Sequence, residues 1–195
     1  MKINSRLEQR SFLNEYFNKY RLLLEPSDFL LNDLIYLSES LVEMNANGKK
    51  AIIVGNGGSA AIASHFSVDL TKNASVRCVN FNEADLITCF ANDYGFDNWI
   101  KEAINFYGDE GDILIAISSS GRSTDIIKGC NAAKEENFSK IVTFSGFNKD
   151  NPLKDCGDLN LWVNSKAYNM VENIHQFWLL TVVDLIIGKS EYPDN

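Results

Sequence analysis

Two short segments of this chain carry residue types that can do chemistry. The first is Gly55-Asn56-Gly57-Gly58-Ser59, which follows the apolar run Ala51 to Val54 and precedes an alanine-rich stretch ending at His65. The apolar run is too brief for a helix and reads as a buried strand. Glycines let the backbone turn sharply and approach a ligand closely, and Ser59 is a candidate N-cap for the helix that follows. Free N–H groups at a helix start, together with the positive end of its dipole, favour an anion there. No Gly-Lys-Ser/Thr follows, and Ala60-Ala61 stand where G-x-G-x-x-G needs its third glycine, so no nucleotide cofactor is expected.

The second segment is Ser118-Ser119-Ser120-Gly121-Arg122-Ser123, placed after the strand-like run Asp112 to Ile117 and before a helix. Serine hydroxyls and the N–H groups of a helix start can surround a phosphate with neutral donors. A polar turn in which Ser123 or Thr124 only caps the helix would need one serine, whereas this loop has four.

These loops need a scaffold, and the composition allows one. The 195 residues suit a single domain, with a helical pair over 1–48 and an α/β core over 49–190. A formal net charge of −8 argues against nucleic-acid binding through a general basic field, so any phosphate site must be local. Four scattered cysteines form no C-x-x-C pair, which argues against a thiolate zinc site and fits a reducing cytoplasm. The first ten residues lack the apolar core of a signal peptide. Phe177 to Ile187 is too short for a membrane span and contains Asp184. A cytoplasmic protein without membrane contact is therefore expected.

The periodicity predicts a helix over 6–24, a break at Glu25-Pro26, and a second helix capped by Ser27 and ended by Asn47-Gly48. That second helix has two apolar rows, Leu30/Leu34/Leu37/Leu41 and Leu31/Ile35/Val42, one more than packing on a sheet requires. Strands and helices then alternate, with strands at 51–54, 76–80, 112–117, 140–144 and 159–163. Helices are expected at 83–91 and 97–107, separated by a break at 92–95, then to about 137, and at 170–187. Short apolar strands alternating with helices imply a parallel sheet covered on both faces, with ligands at the carboxyl ends of its strands.

GNGGSA with His65 after it, then Asn92-Asp93-Tyr94-Gly95-Phe96, then ISSSGRS, resemble the sugar isomerase (SIS) fold. Within that fold the chain is similar to bacterial phosphoheptose isomerases, which convert sedoheptulose 7-phosphate to a heptose 7-phosphate for surface polysaccharide. The resemblance implies a three-layer, flavodoxin-like α/β fold with a five-stranded parallel sheet preceded by two helices. It also implies a homotetramer with pockets at subunit interfaces. It assigns the substrate loop to Asn56, Gly57, Gly58 and Ser59, a second polar cluster to Asn92 and Asp93, and the phosphate cradle to Ser118, Ser119, Ser120 and Ser123.

The resemblance also implies zinc, held in the family by a histidine, a glutamate one turn later, and a glutamine and histidine of the last helix. Those positions are His65, Asp69, Glu172 and Leu180 here. His65, Asp69 and Glu172 with a water would then be the zinc set, and either Glu172 or Asp69 the catalytic base. His175 is read as an assistant or as a structural residue. Leu180 stands where the family has its proposed acid, so a noncatalytic sugar-phosphate-binding or regulatory protein, of the type that binds a replication initiator, is the alternative to an isomerase.

Overall fold

The computed structural model describes residues 5–191. The chain opens with α1 (Arg6–Leu24) and α2 (Asp28–Ala46). Ser5 and Glu8 close a capping box at the start of α1, and Ser27 caps α2 by accepting from the Leu30 N–H. Alternation follows: β1 (Ala51–Gly55), α3 (Gly58–Lys72), β2 (Cys78–Val79), α4 (Ala84–Tyr94), α5 (Trp99–Tyr107) and β3 (Ile113–Ser118). The chain continues through α6 (Thr124–Glu135), β4 (Lys140–Ser145), β5 (Leu159–Trp162) and α7 (Tyr168–Ile187). The five strands described form one parallel sheet, as the sequence pattern implied, and their order is β2-β1-β3-β4-β5.

Two local expectations are corrected. Ser59 does not cap α3, because Gly57, at φ 55°, turns the chain and the helix begins one residue before the serine. The segment 92–95 is not a break between helices, since Asn92, Asp93 and Tyr94 complete α4 and only Gly95, at φ 82°, ends it.

The sheet's two faces sort the core by the period-two alternation of strands. Ile53, Ile113, Ile115 and Ile117 face α2, α3 and α7, among them Leu37, Leu41, Phe66 and Leu179. Ile52, Val54, Leu114 and Ala116 face α5 and α6, among them Ile100, Ile104 and Ile126. By composition alone α7 is long and apolar enough to cross a membrane, with a mean hydropathy of 1.3. Val171, Ile174, Trp178 and Leu179 are nonetheless buried in the core, where the helix packs on α2 and α3. The second apolar row of α2 stays exposed at Leu31, Ile35 and Val42, as do Phe12, Leu13 and Phe17 of α1 and Phe177 of α7.

The two central strands are clamped together at their amino ends. The fully buried Asp112 carboxylate accepts from the Lys50 N–H at 3.0 Å, from Lys50 Nζ at 2.6 Å and from the Asp109 N–H at 3.0 Å. These bonds hold the entries of β1 and β3 level. Asp112→Ala leaves the Lys50 and Asp109 N–H groups unmet, while Lys50 Nζ keeps Asp109 at 2.6 Å, and is expected to lower stability by about 3 kcal/mol. Urea unfolding followed by circular dichroism should show a lower midpoint with an unchanged slope.

Candidate functional site

After β1 the chain moves to one face of the sheet as α3, and after the neighbouring β3 it moves to the other face as α6. A crevice opens where adjacent strands send their connections apart, which is the topological switch point of such sheets. Gly55 pairs with Ile117, so both strands end level and their loops lie side by side. A cleft of about 140 Å³ sits there, lined by Asn56, Ser59, Ile117, Ser118, Ser119, Ser120, Ser123, Tyr168 and Glu172.

The serine loop is held from behind. The Gly121 N–H donates to the Ser118 carbonyl at 2.9 Å, the Gly146 N–H to the Ser119 carbonyl at 2.9 Å, and the Leu153 N–H to the Gly121 carbonyl at 3.0 Å. Ser123 occupies the N-cap position of α6 without capping it, because its hydroxyl instead lies 2.9 Å from the Ser118 hydroxyl. Ser119 Oγ is enclosed with no partner among the described residues. It is an unmet polar group in a loop of hydroxyls and helix-start N–H groups, and an anion in the cleft would satisfy it.

Glu172 reaches the cleft from the first turns of α7, and its carboxylate lies against Gly58. A Cβ at Gly58 would overlap that carboxylate, so the glycine is required for the close approach. The start of α3, read from sequence as an anion site, thus faces an anion of the protein itself. One turn further along α7, Gln176 Nε2 lies 3.0 Å from His65 Nδ1, and His65 Nε2 lies 3.3 Å from an Asp69 carboxylate oxygen. An amide nitrogen only donates. His65 therefore accepts at Nδ1 from Gln176 and donates at Nε2 to Asp69.

These contacts separate residues that the sequence placed together. Glu172 meets α3 at Gly58, whereas His65 is seven residues further on, about 10 Å along the helix. Among the described residues no group of three histidine, cysteine, aspartate or glutamate side chains is gathered to hold a metal ion. The expected zinc set of His65, Asp69 and Glu172 is therefore not gathered among the described residues, so one copy of the chain does not by itself fit the metal. Asp69 does not line the cleft, and neither do Asn92 and Asp93. The latter two are exposed at the end of α4, where Asn92 Nδ2 donates to Asp93 Oδ1 at 2.9 Å.

Three residues of this region escaped the sequence reading. Tyr168 lines the cleft beside Glu172. Gln176 was legible in principle, since it lies four residues from Glu172 on one helix face. Asp125, buried at the start of α6, accepts from Asn56 Nδ2 at 2.8 Å and from Trp99 Nε1 at 3.2 Å. No local pattern distinguishes it from an acidic residue that merely suits a helix N-terminus.

Comparison with known proteins agrees with this geometry. A family model described as SIS domain matches residues 15–145. A phosphoheptose isomerase of Fusobacterium nucleatum is 32% identical over 165 residues, which span 82% of this chain and 83% of that protein. One from Shewanella denitrificans is 32% identical over 182 residues, or 88% of this chain and 91% of that protein. The solved structure of a phosphoheptose isomerase from Francisella tularensis superposes with a TM-score of 0.85 at 25% identity, covering 95% of this chain and all of that one (100%).

His175 takes no part in the cleft. It is fully buried, with Nε2 3.1 Å from the Ser145 carbonyl and Nδ1 enclosed without a partner among the described residues. Burial disfavours the imidazolium and pulls its pKa down from 6.5 to about 4. The unfolded chain binds this proton more readily, so the contribution to stability is complete above pH 6.5 and is lost as pH falls toward 4. Melting temperatures of the native protein should decline through that window by up to about 1.4 kcal/mol of stability per pH unit. The variant His175→Gln should be less stable at neutral pH and show a shallower decline.

Proposed function

The chain belongs to the SIS domain family, and we propose that it is a phosphosugar isomerase interconverting a ketose and an aldose. Its proposed substrate is sedoheptulose 7-phosphate and its product a heptose 7-phosphate destined for surface polysaccharide. The observation that supports this best is the single cleft at the switch point. There four serines, the loop from Asn56 and the Glu172 carboxylate converge.

On this reading the hydroxyls of Ser118, Ser119, Ser120 and Ser123, with the N–H groups at the start of α6, hold the phosphate. Asn56, Gly57, Gly58 and Ser59 bind the sugar. Glu172 is the base, because it is the carboxylate that lines the cleft, whereas Asp69 is engaged with His65. It removes a proton from C1 of the ketose as the C2 carbonyl oxygen gains one from water, giving an enediol and a protonated Glu172. Glu172 then delivers a proton, exchangeable with solvent, to C2 while O1 gives its own to water, which leaves the aldose and restores the carboxylate.

A cleft of about 140 Å³ is smaller than the roughly 300 Å³ at which small-molecule sites usually begin. It suits the phosphate end of a seven-carbon sugar, with the remainder extending outward. A homotetramer would complete the site and cover the exposed apolar row Leu31, Ile35 and Val42. In that assembly Asn92, Asp93 and the His65–Asp69 pair would act from a neighbouring copy. Four free cysteines suit a cytoplasmic enzyme.

Incubation with sedoheptulose 7-phosphate in heavy water is expected to give an aldose phosphate carrying deuterium at C2. Binding without deuterium or aldose would replace the isomerase by a noncatalytic binding protein. Glu172→Gln should lower turnover by about a hundredfold or more. Thermal stabilisation by inorganic phosphate should persist in that variant, and full activity in it would remove Glu172 from the base role.

A further inference from the structure

Asp125 is a carboxylate that the proposed reaction does not use, yet it links the two loops of the cleft. It is the second residue of α6 and 3% exposed. The same oxygen, Oδ2, accepts from Asn56 Nδ2 at 2.8 Å and from Trp99 Nε1 at 3.2 Å. The start of α6 favours a negative charge at this point. An ionised carboxylate can only accept, so it dictates which end of the Asn56 amide faces it. The NH₂ group turns toward Asp125 and the carbonyl Oδ1 turns away. Asn56 itself lines the cleft, and its Oδ1 has no hydrogen-bond partner among the described residues.

We propose that Asp125 is a positioning residue that fixes Asn56 with its carbonyl oxygen presented to the cleft, so that the sugar end selects a ligand hydroxyl able to donate there. This rests on the phosphosugar reading of the cleft. It makes the Asn56 position an acceptor rather than a donor, and so separates recognition of the sugar from recognition of the phosphate. The serine loop holds the phosphate without Asp125, whereas the hydroxyl contact depends on it.

Removing the acceptor tests this. Asp125→Leu leaves the Asn56 amide with no group to dictate its orientation, so its carbonyl is no longer held toward the cleft. Calorimetric affinity for sedoheptulose 7-phosphate should fall about tenfold, while affinity for inorganic phosphate should change by less than about twofold. In Asp125→Asn the amide oxygen can take the place of Oδ2 and accept from both Asn56 and Trp99, so sugar-phosphate affinity should stay near the native value.

Equal loss for both ligands, no loss for the sugar phosphate in Asp125→Leu, or a loss in Asp125→Asn as large as in Asp125→Leu would overturn the proposal. If Asp125→Leu does not fold, Asn56→Ala, which removes the presented acceptor, decides by the same comparison of the two ligands. Native protein that binds the sugar phosphate but places no deuterium at C2 contradicts only the isomerase reading. Native protein that does not bind it contradicts both.

Discussion

The site depends on one topological constraint: β1 and β3 are hydrogen-bonded neighbours whose following helices lie on opposite faces of the sheet. A parallel sheet covered on both faces has little open surface except at its strand ends. Divergence of the two connections keeps either helix from closing over that end. The register then brings the loops level, with Gly55 opposite Ile117 and Asn56 and Ser118 leaving together. At the other end of the same strands, Asp112 ties β1 to β3 through Lys50. A buried polar clamp below therefore supports the alignment of the polar loops above.

The carboxylate comes from α7 because that helix packs on α3 in the same layer. Glu172 meets Gly58 and Gln176 meets His65, so contacts advance in the same direction along both helices. This parallel phasing explains why His65, Asp69 and Glu172 do not converge. Spacing within a helix shows that His65 and Asp69 share a face, and they do lie 3.3 Å apart. It carries no information about which turn of a second helix comes alongside. That is set by core side chains such as Phe66, Ile174 and Trp178, which lock one helix against the other.

What was legible from sequence follows the same division. The strands and both loops were readable because short apolar runs, glycines and serines act locally. The misplaced cap at Ser59 and the break expected at 92–95 were failures of one or two residues, where a single glycine with positive φ decides the boundary. Asp125 was not readable at all. Its partners Asn56 and Trp99 come from β1's loop and from α5, and only the folded chain brings an amide and an indole to one buried carboxylate. His175 shows the converse: its residue type invites a catalytic role, and only its complete burial assigns it to the core.

Two helix N-termini border the crevice, and the protein treats them differently. At α3 the close approach of Glu172 to Gly58 sets a fixed negative charge of the chain beside the helix start. A ligand phosphate placed there would meet that charge in a partly desolvated site, where like charges repel more strongly than in water. At α6 the serine hydroxyls and N–H groups remain available, with Ser119 Oγ unmet. Asp125 also sits at this helix start, where Asn56 and Trp99 supply its donors. On the proposed reading, the anion of the ligand is thereby directed to α6 and the reacting end to α3. The two similar loops of the sequence become unlike because α7 brings its carboxylate to only one of them.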